Sequence, residues 1–183
     1  MQVACIGRGN VGGGLGDLWE RAGHQVTRFG HDGGDVSAAE AVLLAVPGDA
    51  VAEALGKVRG LEGKIVIDAT NRYGTKPPVG YASNAEYVKS RTNGPTAKSF
   101  NLNIARLFGR LAEARATPCN LWCGDEEARE AVERLNRDAG FEPVYEGSLE
   151  NAATQEAFAG IIRGIAQGGM GPFVYRMAPP DQL

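Results

Sequence analysis

Cysteine is scarce in this chain of 183 residues: Cys5, Cys119 and Cys123 make up the whole complement. A small, odd number builds no disulfide framework, and the expected setting is the reducing cytoplasm. Cys119 and Cys123 stand four apart on an expected strand, sharing a face without touching, so buried thiols are expected rather than a redox pair. Histidine is scarcer still, with two residues, neither in a metal-ligand pattern with cysteine; no metal site is expected. Excess positive charge is also missing. Lys plus Arg number 19 against 22 Asp plus Glu, a net charge of −3 without long runs of one sign, which argues against a protein that holds nucleic acid through bulk charge. The longest apolar run, residues 41–46, is far short of the ~18 residues a membrane span needs. Residues 1–3 lead straight into an apolar strand with no basic segment or cleavage site, so neither a signal peptide nor a membrane partner is expected.

Glycine, by contrast, is abundant: 26 residues, about twice the usual share. With 43% hydrophobic and 22% charged residues the chain is too apolar for disorder. Its length predicts a single domain over 1–183, able to bury roughly 70% of its unfolded surface.

Val3-Ala4-Cys5-Ile6 reads as a strand, and Val11, Leu15, Leu18, Trp19 and Ala22 follow at helical spacing. Gly23 ends that helix, and residues 24–29 form a second strand. The run 41–46, stopped by Pro47-Gly48, is the pattern of a parallel strand buried on both faces. A helix over 49–58 and a strand over 64–68 come next. A proline-bearing loop spans 70–82, and Ser83-Asn84-Ala85-Glu86 is a capping box opening another helix. Residues 96–100 are strand, and Ile104, Leu107, Phe108 and Leu111 predict a helix close behind Asn101. Residues 120–123, 125–139 and 141–145 read as strand, helix and strand. The alternation predicts an α/β fold, a doubly wound, mostly parallel Rossmann-type sheet.

Gly7-Arg8-Gly9-Asn10-Val11-Gly12 fits G-x-G-x-x-G directly after the first strand and before a helix. In that setting the first glycine permits the turn, the second lets backbone approach a pyrophosphate, and the third lets helix pack on strand. Dinucleotide binding follows. Cofactor choice is divided: Arg8, Arg28 and His31 would surround a 2′-phosphate and favour NADP, whereas Asp32 would accept from a ribose hydroxyl and favour NAD. NADP is preferred, and for Arg8 a solvated side chain is the bland alternative. Only eleven residues separate the second strand from the run at 41, too few for the usual outer helix and strand. They can span up to about 36 Å, so the crossing is feasible, and it predicts an adenosine pocket lacking one wall.

At this point the chain resembles the F420-dependent NADP oxidoreductases and, in its second half, the cytosolic reductase domain of STEAP-type metalloreductases. The resemblance is carried by GRGNVGGGLG at 7–16, AGH at 22–24, LLAVPGDAV at 43–51, KIVIDATN at 64–71, SNAEY at 83–87, KSFN at 98–101, CGD at 123–125, GSLENA at 147–152 and GGMG at 168–171. It implies that residues 1–100 form the dinucleotide-binding core and 101–183 an extension supplying the acceptor site and dimer contacts. Ala45, Val46 and Pro47, with Asn71 beside them, would line the nicotinamide. Asn101, Asn103 and Ala105 would hold a deazaflavin or flavin acceptor, with Met170 and Phe173 near it; Asn101 is equally suited to capping a helix. The chain departs from the family pattern at Gly30-His31, where NADP-specific members carry Ser or Thr followed by Arg.

Hydride transfer to such an acceptor needs face-to-face placement and few acids or bases, so no catalytic acid or base is assigned. A dehydrogenase acting on an alcohol or keto acid would show one at the nicotinamide; Tyr73 and Lys76 keep that reading open. The β-hydroxyacid dehydrogenases and imine reductases add a large helical domain after the sheet, which the strands running to Tyr145 do not match. A module that senses NAD(P) without turnover is the rival from another class. Near the C-terminus, Phe158, Ile161, Ile162 and Ile165 form an apolar stripe beside Gly160, Gly164 and Gly168. Glycines in line predict a close-approach face, and the resemblance makes it a homodimer contact; the alternative is a helix ending near Arg163 and a loop beyond.

Overall fold

The computed structural model describes residues 1–182. Its elements run β1 Gln2–Ile6, α1 Asn10–Arg21, β2 Gln25–Phe29, β3 Gly34–Asp35, β4 Ala41–Leu44, α2 Val51–Gly56, β5 Val58–Arg59, β6 Ile65–Asp68, α3 Asn84–Thr92, β7 Thr96–Ser99, β8 Cys119–Gly124, α4 Arg129–Asp138, β9 Glu142–Tyr145 and α5 Ala152–Ile165. The main sheet has the order β2-β1-β4-β6-β7-β8-β9. Its first five strands are parallel; β8 runs antiparallel to β7, and β9 parallel to β8. This is the expected Rossmann-type sheet, and both halves of the chain contribute to it.

Side-chain alternation explains why its central strands read as unbroken apolar runs. Val3, Cys5, Ala41, Leu43 and Ile67 pack into one core with Leu15, Trp19, Phe100, Phe108 and Phe141, while Ala4, Ile6, Val42, Leu44 and Val66 pack on the other face with Leu55 and Val88. Successive residues point to opposite faces, so a strand covered on both sides must be apolar throughout.

β2 is an edge strand, as the missing outer unit implies. Residues 30–40 cross below it instead, and β3 within them pairs in parallel with β5, matching Gly34 to Val58 and Asp35 to Arg59. This ribbon corrects the expected helix over 49–58: α2 stops at Gly56, and Val58 is buried in the core from a strand. The apolar repeat at 104–111 forms 3-10 turns over Ala105–Glu113 rather than an α-helix. In 3-10 geometry i and i+3 align, which sets Phe108 and Leu111 together in the core. The capping box at α3 forms as expected, with Ser83 Oγ accepting from Glu86 N at 3.1 Å. α5 runs two residues past Arg163 and then opens into a wide turn over Ala166–Met170, where Gly169 has φ +121°. Gly168 therefore lies outside the regular helix that carries Gly160 and Gly164. Among the described residues no helix is long and apolar enough to cross a membrane.

Candidate active site

The strand order reverses between β1 and β4, because the chain turns to β2 on one side and to β6 and β7 on the other. Ligands of open α/β sheets bind at such a point, beyond the carboxyl ends of the strands. Gly7 leaves β1 there with φ +100°, and a Cβ on it would fall 2.2 Å from the Ala45 carbonyl oxygen. A Cβ on Gly12 would meet the Gly7 carbonyl oxygen at 2.0 Å, so the turn and α1 fit only because both lack side chains. Gly9 differs: a Cβ there would meet nothing within 4 Å, so the fold itself does not require glycine at this position. Gly9 caps α1 without any side-chain hydrogen bond, and the first turn holds no acid. The free first amides of α1 and its positive dipole end thus suit a pyrophosphate, which tests well for a dinucleotide. Asn10, exposed, begins α1, and Val11 faces the cavity beyond it.

Two cavities meet at Ala45, Val46 and Pro47. The larger, of about 570 Å³, is floored by Ala69, Thr70 and Asn71 from the end of β6 and by the segment from Phe100 to Arg106, with Ala159, Ile162, Arg163, Ala166 and Gln167 along its wall. Asn101 and Asn71 are paired across it: Asn101 Nδ2 donates to Asn71 Oδ1 at 3.0 Å, and Asn71 Nδ2 donates to the Asn101 carbonyl at 2.6 Å. Asn103 also borders the cavity, but its amide is engaged with Asn120 Oδ1 at 2.7 Å. Ala105 borders it as expected. Met170 and Phe173 do not: Met170 is 66% exposed, and Phe173 packs against the cluster of Leu102, Leu121, Ala159 and Ile162. The wide turn at 166–170 carries Met170 outward, and Ala166 and Gln167 take the place expected of it. From the loop over 70–82, Tyr73 and Thr75 reach the cavity and Lys76 does not. The Tyr73 hydroxyl accepts from Asn71 Nδ2 at 3.2 Å, and Arg163 lies over its ring at 5.3 Å.

Under this floor sits a charge cluster that the sequence reading missed. Lys98, fully buried, donates to Asp68 Oδ2 at 2.9 Å, to Glu156 Oε1 at 2.7 Å and to the Thr70 carbonyl at 2.5 Å. Burial raises the Glu156 carboxyl above its ordinary range, against the pull of Lys98. The cluster ties α5 to the ends of β6 and β7. A lysine and two acids 30 and 58 positions away leave no local signal in the sequence.

The second cavity, of about 470 Å³, extends over Gly7, Arg8 and Gly9 to Gly30, His31 and Gly33, with Ala50, Glu53, Ala54 and Lys57 of α2 and its C-cap opposite. α2 lines one side of this cavity, and no outer unit follows β2, which stays the edge strand. Arg8 spreads its guanidinium over Gly30, where a Cβ would come within 3.1 Å of it. Arg28 is not at the cavity, contrary to expectation: its guanidinium turns under Gly16 to bond Asp17 and Glu20 at 2.7 Å each. Alternation along β2 directs it to the helix face. Asp32 is fully exposed and does not line the cavity.

All three thiols are buried, and burial pushes Cys5 and Cys123 up to about 12. Among the described residues no three His, Cys, Asp or Glu side chains gather as a metal-binding group.

No family model matches the chain, and no curated protein matches it in sequence. Solved structures do match in fold. A protein from Arthrobacter sp. FB24, described as a candidate F420-dependent NADP reductase, is 21% identical with a TM-score of 0.80, over 98% of this chain and 100% of that one. An uncharacterised protein from Sinorhizobium meliloti is 24% identical with a TM-score of 0.66, over 83% and 88%. A reductive aminase from Aspergillus terreus, solved with NADPH and ethyl levulinate, is 16% identical with a TM-score of 0.67, over 92% of this chain and 63% of that one. At these identities the shared property is the fold, a Rossmann-type α/β sheet whose crevice this chain lines with the glycine turn and the two paired asparagines.

Proposed function

We propose that the protein is an NAD(P)-dependent oxidoreductase that transfers a hydride between NADP(H) and a deazaflavin or flavin-type acceptor. The observation that carries this reading is the pair of cavities meeting at Ala45–Pro47, one lined by the glycine turn Gly7-Arg8-Gly9 that leads into α1 and the other lined by neither histidine nor lysine. Such a site suits the binding and alignment of two flat partners, with Tyr73 as the one residue at the cavity that keeps the alcohol or keto-acid reading open. The NADPH-bound state of the Aspergillus aminase and the description of the Arthrobacter protein agree with the cofactor.

In this reading Gly7, Gly9 and the first amides of α1 hold the pyrophosphate. Arg8 and His31 stand at the adenosine end. Ala45, Val46 and Pro47 form the apolar shelf beside the nicotinamide, and the Asn71–Asn101 pair keeps the carboxamide end polar. When bound, the cofactor supplies two electrons and a proton together as hydride. Leu102, Ile104, Ala105 and Ile162 exclude water from the acceptor side. Arg106 and Arg163, which meet no carboxylate among the described residues, suit an acceptor with an anionic tail. Residues 1–100 serve as the dinucleotide core and 101–183 as the acceptor extension. The exposed face of α5, with Ile161 and Ile165 beside Gly160 and Gly164, pairs with a second copy of the chain. Three buried thiols fit a cytoplasmic setting.

The test is steady-state NADPH and NADH oxidation with a panel of deazaflavin, free flavins and ferric chelates. Turnover with a flat-ring acceptor is expected. Tight binding with no turnover across the panel would instead assign a sensing module.

A further inference from the structure

Residues 30–40, which hold no outer helix, reach the second cavity through a short ribbon instead. β3 and β5 form a two-stranded ribbon, with Gly34 N donating to the Lys57 carbonyl at 3.3 Å. Gly33 allows that approach: a Cβ there would fall 2.1 Å from the Lys57 carbonyl oxygen, and its φ is +70°. The ribbon therefore fixes the backbone of Lys57 against the loop that follows β2, and the Lys57 side chain, two-thirds buried, lies along the cavity.

We infer that Lys57 completes a phosphomonoester subsite with Arg8 and His31, and that this subsite selects the 2′-phosphorylated dinucleotide. The inference rests on the dinucleotide reading and extends it to a residue on an element that does not follow β2. Lys57 Nζ lies 3.2 Å from His31 Nε2 and 2.5 Å from Glu53 Oε1. Arg8 faces the same cavity with no carboxylate partner among the described residues, its guanidinium beside Gly30. The charged groups facing Lys57 are thus Glu53 and His31, with Asp32 Oδ1 3.7 Å behind the imidazole. The charged or titratable side chains lining this cavity are two cations, an imidazole and a single carboxylate. A dianionic phosphate gains charge-assisted bonds from both cations, whereas a neutral ribose hydroxyl gains far less from them and can donate to Glu53. Arg28, the other cation expected of this subsite, is committed to Asp17 and Glu20, which leaves Lys57 as its replacement.

Calorimetric titration of the wild-type chain with 2′,5′-ADP and with 5′-ADP reads the subsite without turnover. The wild type is expected to prefer 2′,5′-ADP by about tenfold or more, Lys57→Ala to lose that preference with 5′-ADP binding unchanged, and Lys57→Arg to retain most of it. Glu53→Gln is expected to tighten 2′,5′-ADP by releasing the ammonium. An unchanged preference in Lys57→Ala, or an equal loss for both nucleotides, overturns the assignment. Loss of 5′-ADP binding in Glu53→Gln does so too, because it makes Glu53 a ribose acceptor and the site one for NAD. A wild type that binds both nucleotides equally removes the subsite and leaves the dinucleotide reading standing. A wild type that binds neither removes both.

Discussion

Gln155 on α5 donates from Nε2 to the side-chain oxygen of Asn101 at 2.9 Å, and that bond decides which edge of Asn101 faces Asn71. With its oxygen held, Asn101 turns its amide toward Asn71 Oδ1, and Asn71 turns its own toward the Asn101 carbonyl and the Tyr73 hydroxyl. Gln155 is oriented in turn by the Leu121 carbonyl, to which its Nε2 also donates at 3.0 Å, and by the Cys123 thiol, which donates to its Oε1 at 3.3 Å. Burial pushes that thiol up to about 12, so it keeps its proton and the chain of amides keeps one direction.

Replacing Gln155 by leucine leaves the Asn101 oxygen without its donor in a buried place, at a cost of about 1 to 3 kcal/mol in stability. The freed amide no longer presents a fixed edge to the cavity. Single-turnover hydride transfer should slow by about tenfold while the NADPH dissociation constant holds. An unaltered transfer rate would show that the pair has no part in alignment.

The two kinds of glycine in the turn separate cleanly. Gly12→Ala drives a methyl into the Gly7 carbonyl and should lower the melting temperature. Gly9→Val meets no atom of the protein within 4 Å of its Cβ, so the melting temperature should stay while fluorescence titration shows no NADPH binding. Normal affinity in folded Gly9→Val would remove the basis of the proposed function.

Arg8→Ala should weaken NADPH by about 1.5 to 3 kcal/mol, the worth of a charge-assisted hydrogen bond, and NADH far less. Dissociation constants for the two nucleotides decide the matter. Equal losses would place Arg8 on the pyrophosphate they share.

Lys98→Met removes the cation between Asp68 and Glu156 and should cost about 3 to 5 kcal/mol near neutral pH. The Glu156 carboxyl already titrates above its ordinary range. A raised acid means that the folded state holds the proton more tightly, so stability falls as pH rises through the raised value. Denaturant unfolding should accordingly find the variant least stable at high pH and partly recovered as the solution is acidified. A loss independent of pH would assign Lys98 to packing alone.

Gly164→Leu places a side chain where a Cβ meets nothing in the chain itself, so the fold should persist. Light scattering is expected to show a wild-type dimer and a monomeric variant. A wild-type monomer at micromolar concentration, or a variant that still dimerises, refutes contact through this face.

Much of the fold was legible because its signals are local. The run at 41–46 names a strand covered on both faces, and the turn from Gly7 to Gly12 places a strand before it and a helix after it. Asn71 and Asn101 were named through the family resemblance, and both stand just past the ends of strands of one sheet. Other features depend on partners distant in sequence. Phe108 and Leu111 read as helical by spacing, yet the ring of Phe108 seats beside Gly14 of α1 and the segment winds more tightly. Met170 looked apt for the acceptor, but the backbone turn at Gly169 sends it to solvent.

Arg28 and Lys57 show where the division falls. Residue order set the glycine turn, the alternation of strand and helix, and the shortened link after β2, since each follows from backbone sterics and side-chain periodicity within a few residues. Whether Arg28 or Lys57 lines the second cavity could not follow from those rules. Arg28 lies three residues before His31, the position the fingerprint points to, and two acids of α1 draw it away. Lys57 lies 26 positions beyond His31, and a ribbon between two short strands brings it in. Long side chains go to whichever charge the packed elements set within reach, and that reach exists only once the sheet has folded.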